Sequence, residues 1–166
     1  MSEIIQQQDS RRIFIDTLIE LASSDSSVCL IVPDVGFNYL EKFQARFPER
    51  YFNFGVTEQS CMVIASALAL SGFRPFIYSM INFVLFRPAE MVRNAIVCHK
   101  APVILIGVKG SSSYKFLGFS HNLLHDKEDF NFCDNIGLSW HNPQINEVRE
   151  AILKCYQSNK PNYIRL

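Results

Sequence analysis

The sequence predicts an α/β protein whose mostly parallel sheet is covered by helices on both faces, a three-layer α/β/α arrangement. Short apolar runs alternate with helical patterns along the chain, and this alternation is typical of parallel βαβ units. The runs at residues 28–32 and 102–107 are continuously apolar, as expected for strands that are buried on both faces. No repeat, low-complexity tract or linker interrupts the pattern, so we expect residues 1–166 to form a single domain.

The first half of the chain predicts three helices and two strands. Ile13, Thr17 and Leu21 give the first helix an apolar face at helical spacing. Pro33 ends the first strand, and Gly72 ends the third helix in a left-handed conformation. In chain order, we predict a helix capped by Asp9, a strand at 28–32, a helix at 39–47, a strand at 51–54 and a helix at 57–71.

The second half predicts four strands, two helices and a long loop. Pro88 lies near the first turn of a helix, where a missing N–H group is tolerated. The loop is rich in Gly, Ser and aromatic residues, and long loops in compact domains are often functional. In chain order, we predict a strand at 75–78, a helix at 88–99, a strand at 102–107, the loop at 109–125, a strand at 138–140, a helix at 145–157 and a strand at 163–165.

Composition excludes several classes of partner. The 166 residues are 48% hydrophobic, which is enough for a sizeable core, and the 16 basic and 16 acidic residues balance. Because the chain has neither a basic stripe nor an apolar span of bilayer length, nucleic acid and membranes are not expected partners. The first residues do not form a signal peptide, and the five cysteines include no C-x-x-C pair. We therefore expect a cytoplasmic protein with reduced thiols.

Self-contained catalytic motifs do not occur in the sequence. It has no dinucleotide-binding G-x-G-x-x-G after a strand and no phosphate-binding G-x-x-x-x-G-K-[ST]. It also has no H-E-x-x-H zinc motif and no serine in a G-x-S-x-G turn. Any activity must therefore depend on single residues that the fold brings together.

Glu58 is the most informative single residue. It lies just before the apolar stretch 61–70, at a helix start where the helix dipole favours a negative charge. A helix that is apolar nearly all round is expected to be buried, so we expect its first carboxylate to be partly buried too. A buried carboxylate needs a partner, a shifted pKa or a ligand. The plainer alternative is a capping-type carboxylate on a core helix.

Six stretches of the chain, taken together and in order, resemble one known family. They are RYFNFGVTEQ at 50–59, SGFRPF at 71–76, YSMINF at 78–83, EMVRN at 90–94, PVILIG at 102–107 and SHN at 120–122. This series resembles the pyrimidine-binding domain of transketolase-like enzymes, which use thiamine diphosphate. The resemblance runs from about residue 10 to the end, and it implies the thiamine diphosphate-binding fold of the pyrimidine type.

The resemblance implies roles for five residues toward the cofactor. Glu58 corresponds to the catalytic glutamate, which hydrogen-bonds a pyrimidine nitrogen and favours the imino tautomer that takes the thiazolium proton. Phe83 corresponds to the ring that stacks on the aminopyrimidine, and Phe86 to a second aromatic ring in the same pocket. Asp34 matches an acidic residue near the thiazolium, and Val56 an apolar side chain beside the bent cofactor. The alternatives are a core position for Phe86 and an ordinary turn at Asp34.

The loop at 109–125 departs from the family's pattern. Where transketolase has Asp-Gly-Pro-Thr-His, this chain has Leu117-Gly-Phe-Ser-His121, so the histidine is kept and the aspartate is replaced. Another family histidine falls on Lys109. Fewer polar groups favour a modified or deoxygenated sugar, or a smaller keto acid. Lys109, His121 and His125 are the candidate substrate residues, and the two histidines are candidates for proton transfer or, alternatively, ordinary hydrogen-bonding loop residues.

The sequence lacks the part of the family that binds the cofactor's diphosphate. The family's Gly-Asp-Gly segment and following asparagine, which hold magnesium, do not occur here. We therefore expect a separate diphosphate-binding subunit that holds the magnesium, in a heterotetramer with two copies of each chain. The apolar residues at 80–92 suit either an interface with that subunit or the internal core.

The sequence thus predicts the pyrimidine-binding subunit of a split transketolase-like enzyme. Such an enzyme transfers two-carbon ketol units between sugars, modified sugars or sugar phosphates. The alternatives are the beta-type subunit of a keto acid decarboxylating or dehydrogenase complex, and a non-catalytic partner of a complete homologue. A generic α/β nucleotide-binding module is disfavoured because the phosphate-binding loop is missing.

Overall fold

A six-stranded parallel sheet forms the centre of the molecule. The computed structural model describes residues 9–35, 38–108 and 115–166. The strand order is β2-β1-β3-β4-β6-β5, and every neighbouring pair is parallel. The strands are β1 Val28–Val32, β2 Tyr51–Asn53, β3 Arg74–Met80, β4 Ile104–Val108, β5 Ser139–His141 and β6 Asn162–Arg165. All six predicted strands are therefore confirmed.

Helices connect the strands. The α-helices are α1 Ser10–Ser24, α2 Glu41–Arg46, α3 Glu58–Leu70, α4 Ala89–Met91, α5 Glu128–Ile136 and α6 Val148–Gln157. Short 3₁₀ turns occur at Pro48–Arg50, Lys115–Leu117, Phe119–His121 and Ile145–Glu147. No helix within the described ranges is both long and apolar enough to cross a bilayer.

Two helical regions differ from the sequence-based predictions. The helix predicted at 88–99 begins earlier, because π-helical segments at Asn82–Phe86 and Val92–Val97 flank the short α4. Pro88 therefore lies inside a longer helical region. Helix α5 was not predicted, since its sequence EDFNFCDNI carries few apolar residues in a helical pattern. It buries Cys133 and the carboxylate of Asp129.

Successive strand residues face opposite sides of the sheet and build two separate cores. The first core contains Leu30 and Phe76, which are paired in the sheet and pack with residues of α1 and α6. The second core contains the next pair, Ile31 and Ile77, and packs with α3, both π-helical segments and α5. Helices on both faces of a parallel sheet confirm the predicted three-layer α/β/α fold, and explain why the strands are apolar throughout.

Two apolar segments pack differently from each other. Helix α3 was expected to be buried on all sides, and this prediction is wrong: Val63 is 46% and Leu70 59% exposed, because only one face of the helix packs on the sheet. For the apolar residues at 80–92, the structure favours the internal core over an interface, since Val84, Leu85 and Val92 are fully buried beneath α3 and against the sheet.

Two smaller predictions are confirmed. Gly72 follows α3 with a φ of +96°, the left-handed conformation that glycine adopts readily after a helix. All five cysteines are free thiols. Burial raises the pKa of Cys29 and of Cys155 to about 12, so these two thiols are not nucleophilic near neutral pH.

Candidate active site

The carboxyl ends of the central strands gather most of the predicted site residues. In the order β2-β1-β3-β4, the chain turns to opposite sides after β1 and after β2, which creates a switch point between β1 and β3. Ligands of open α/β sheets bind in the crevice at such a point. The segments at this edge begin with Asp34 after β1, Phe54 after β2 and Ile81 after β3.

Glu58 is a buried carboxylate with a charged partner. As the first residue of α3 it is only 5% exposed, which confirms the expectation of burial. Arg87 Nη1 donates a short hydrogen bond to Glu58 Oε1. This ion pair meets the requirement that a buried carboxylate be neutralised by a partner. The side chain of Arg87 is 43% exposed, so the pair is open to solvent on the arginine side.

Phe83 lies beside this ion pair. Its ring is 9% exposed, and the guanidinium carbon of Arg87 lies 3.9 Å from the ring centroid. The π-helical turn brings the two side chains together, since Arg87 N donates to Asn82 O over five residues at 2.8 Å. Isolated π-helical turns are frequent at functional sites because they redirect side chains.

His121 approaches Phe83 from the loop after β4. The imidazole and the phenyl ring have centroids 5.0 Å apart and planes at 80°, an edge-to-face contact. Asn82 Nδ2 donates to Asn122 O at 3.2 Å and so ties this loop to the π-helical turn. Ser120 Oγ lies 2.9 Å from His121 Nδ1. The structure therefore brings Glu58, Phe83 and His121 into one continuous set of contacts.

The other predicted site residues lie outside this set of contacts. Phe86 packs against Phe132 of α5, with ring centroids 5.5 Å apart. Asp34 is exposed in the turn after β1 with a φ of +52°, and Val56 is 66% exposed in the loop before α3. His125 is exposed beyond the second 3₁₀ turn of the loop. Lys109 lies outside the residues that the structure describes.

Arg87 is the functional candidate that the sequence did not reveal. It lies 29 residues from Glu58, so no local pattern links the two. The only available signal was its place in the segment after Phe83. Two buried polar atoms at this edge, Ser79 Oγ and Asn82 Oδ1, also have no hydrogen-bond partner within the described ranges. Such atoms are satisfied by a ligand or by ordered water.

The loop around His121 presents a strongly apolar surface. Phe116 is 79% exposed and Phe119 is 83% exposed, which is unusual for side chains of this size. Leu117, at the position of the family's aspartate, is 44% exposed. The apolar character that the sequence predicts for this loop is therefore presented to solvent beside the candidate site.

A second polar centre lies under the other end of the sheet. The buried carboxylate of Asp129 accepts hydrogen bonds from Trp140 Nε1 at 3.2 Å, from Tyr163 OH at 3.1 Å and from Arg165 Nη1 at 3.4 Å. Burial raises the pKa of Tyr163 well above its usual range. These contacts fix α5 to β5 and β6, and none of the predicted site residues takes part.

Metal ligands do not converge within the described part of the chain, where no group of three His, Cys, Asp or Glu side chains could hold an ion. An open cavity of about 570 Å³ lies beside Trp140 and Arg165, at the β5–β6 end of the sheet. Its lining contains none of the residues predicted from the sequence.

Comparison with known proteins identifies relatives of known type. The family model "Transketolase, pyrimidine binding domain" matches residues 6–166. One of the two subunits of the apulose-4-phosphate transketolase of Phocaeicola vulgatus is 32% identical over 117 residues, which cover 70% of this chain and 38% of that protein. The 1-deoxy-D-xylulose-5-phosphate synthase of Listeria monocytogenes is 29% identical over 144 residues, covering 86% of this chain and 23% of the synthase.

Solved structures share the fold. A split-gene transketolase described as an inactive beta4 tetramer superposes with a TM-score of 0.81 at 26% identity, covering 95% of this chain and 50% of that chain. Transketolase from Campylobacter jejuni superposes with a TM-score of 0.80 at 18% identity, which shows the fold alone. The chain spans half or less of the length of each of these relatives. From the match over nearly its whole length, the chain belongs to the transketolase pyrimidine-binding domain family.

Proposed function

We propose that this chain is the pyrimidine-binding subunit of a split, transketolase-like, thiamine diphosphate-dependent enzyme that transfers two-carbon ketol units between sugars or modified sugars. The observation that carries the proposal is the buried carboxylate of Glu58 beside the ring of Phe83, at the carboxyl edge of the sheet. A non-catalytic partner has no chemical need for a carboxylate buried at this cost.

The residues present fit the aminopyrimidine ring of thiamine diphosphate. The guanidinium of Arg87 acts as a stand-in for that ring, because it is a flat group that donates to Glu58 and stacks on Phe83 at once. The unpartnered Ser79 Oγ and Asn82 Oδ1 offer further polar contacts at the same edge. Bound thiamine diphosphate would supply the carbanion chemistry of ketol transfer.

Glu58 would hold a proton at the pyrimidine ring nitrogen. Burial at 5% exposure keeps water away from that hydrogen bond and strengthens it. Phe83 would orient the ring by stacking, and the family correspondence adds Phe86, Asp34 and Val56 around the cofactor. The protein's contribution is thus to position the ring and to control one proton.

His121 would exchange protons with the substrate. Its ring is half-buried at the edge of Phe83, and an imidazole titrates near neutral pH. Lys109 and His125 of the same loop are the remaining candidates for substrate contact.

The apolar loop would select substrates that carry fewer hydroxyl groups. The exposed rings of Phe116 and Phe119 offer no hydrogen bond to a sugar hydroxyl, and Leu117 replaces a polar side chain. Sites that read hydroxyl groups rely on polar side chains to discriminate. The relatives named for apulose-4-phosphate and 1-deoxy-D-xylulose-5-phosphate are consistent with a modified sugar phosphate as substrate. The same apolar surface also suits a small keto acid, as in a decarboxylating complex.

A separate diphosphate-binding subunit would complete the site and hold the magnesium. The family's metal-binding segment does not occur in the sequence. We expect a cytoplasmic heterotetramer of two copies of each subunit, in which residues 1–166 form one domain.

Calorimetry with thiamine diphosphate and magnesium tests this half-site. We expect tight, micromolar binding to the chain assembled with its diphosphate-binding partner, and no tight binding to the chain alone. The physical reason is that the diphosphate and its metal contribute most of the charge that must be held. Tight binding by the chain alone would contradict the proposal.

A further inference from the structure

Arg87 occupies both surfaces that the proposed cofactor site needs. Its Nη1 donates to the buried Oε1 of Glu58, and its guanidinium carbon lies 3.9 Å from the centroid of Phe83. The first contact is a charge-assisted hydrogen bond and the second is a cation–π contact. The guanidinium is flat and carries several N–H donors, as a protonated aminopyrimidine does.

Two flat groups cannot stack on the same face of one ring while bonding the same carboxylate oxygen. We propose that Arg87 is a built-in substitute for the pyrimidine ring, which neutralises Glu58 in the chain without cofactor and moves away as the cofactor enters. This inference rests on the proposed function, because it takes Glu58 and Phe83 as the surfaces that hold the ring.

The geometry allows this movement. The side chain of Arg87 is 43% exposed, whereas Glu58 is 5% exposed, so the arginine covers the carboxylate from the solvent side. It is anchored at the end of the π-helical turn, where its backbone N–H is held by Asn82 O at 2.8 Å. The side chain can therefore rotate outward into water without any change in the backbone.

The substitution has two consequences for binding. It removes the cost of an unpaired buried carboxylate while the site is empty. It also makes an incoming ring compete with a charge-assisted hydrogen bond, so only a ring that donates to Glu58 can replace the arginine. Arg87 thus lowers the affinity for the cofactor and raises the selectivity of the site.

Nuclear magnetic resonance titration tests the proposal on the full chain. The probe is 4-amino-5-hydroxymethyl-2-methylpyrimidine, the ring half of the cofactor, and the variant is Arg87→Met. We expect the variant to bind the probe roughly tenfold more tightly than the parent, because no hydrogen bond has to be broken first. In the parent, the Nε–H resonance of Arg87 should move toward that of a solvated arginine as the probe is added.

Arg93→Met is the matched control, because Arg93 is exposed and its guanidinium contacts Asn94 rather than the site. Its affinity for the probe should equal that of the parent. Should Arg87→Met fail to fold, Arg87→Gln keeps a donor for Glu58, lacks the charge, and should still bind more tightly than the parent. Equal or weaker binding by the folded Arg87 variant would overturn the proposal. Absence of probe binding by parent and variants alike would overturn the proposed pyrimidine site itself.

Discussion

At the scale of single residues, the candidate site is a set of contacts that begins at one carboxylate. Glu58 bonds Arg87, Arg87 covers Phe83, and Phe83 meets His121. Glu58 and Phe83 are nearly buried, whereas Arg87 and His121 reach toward solvent. The inner pair is therefore suited to hold a ring, and the outer histidine is suited to reach a substrate.

His121→Ala separates these two roles. In the assembled complex with hydroxypyruvate as ketol donor, we expect turnover to fall by roughly a hundredfold, as is usual when a general acid or base is lost. Affinity for thiamine diphosphate should stay within about twofold, because Glu58 and Phe83 are unchanged. His99→Ala is the control, since His99 is exposed beyond the second π-helical segment. Turnover of His121→Ala equal to that control would contradict the role.

The burial of Glu58 could be predicted from sequence, whereas its partner could not. The apolar residues after Glu58 predict a helix against the core, and its first residue follows that helix inward. Arg87 comes from a segment 29 residues later, and the contact depends on a π-helical turn that carries no sequence signal. The pairing is set by tertiary structure, which local patterns do not encode.

At the scale of elements, strands were easier to predict than helices. Each strand is a continuous apolar run because helices cover both of its faces. Helix α5 was missed because its buried residues include a carboxylate, Asp129, whose hydrogen bonds to Trp140, Tyr163 and Arg165 come from strands that follow it in the chain. Helix α3 was correctly located, although its outer face is exposed rather than buried.

The cap of α1 makes a pH-dependent contribution to stability. Asp9 accepts hydrogen bonds from Arg11 N at 3.0 Å and from Tyr39 OH at 2.8 Å, and its side chain also pairs with the Arg11 guanidinium. The side-chain hydrogen bond from Arg11 is the main reason that the pKa of Asp9 is lowered to about 2. Below its usual pKa of about 3.8 the unfolded chain binds the proton first, so this stabilisation is lost as the pH falls from about 4 to about 2.

Asp9→Ala should therefore cost about 1 kcal/mol in the free energy of unfolding at pH 7, the usual value of a helix N-cap. The difference between parent and variant should disappear near pH 2. Urea unfolding at a series of pH values measures both quantities. A difference that is the same at pH 7 and at pH 2 would show that the contribution does not depend on the charge of Asp9.

At the scale of the whole molecule, the chain presents one half of a cofactor site. The switch point between β1 and β3 holds the surfaces for a flat ring, and no metal-binding cluster is found within the described ranges. The chain also spans half or less of the relatives it matches. These properties follow from composition and length, so the need for a partner could be predicted from sequence. The substrate could not, because it depends on a loop that departs from the family's pattern.

The most direct test of this account is the rate of hydrogen–deuterium exchange at the thiazolium carbon of thiamine diphosphate, measured by nuclear magnetic resonance in the assembled complex. This rate needs no knowledge of the substrate. We predict that Glu58→Gln lowers it by roughly a hundredfold or more, while Glu90→Gln, an exposed control on α4, leaves it unchanged and both variants stay folded. An exchange rate of Glu58→Gln within tenfold of the parent would contradict the account.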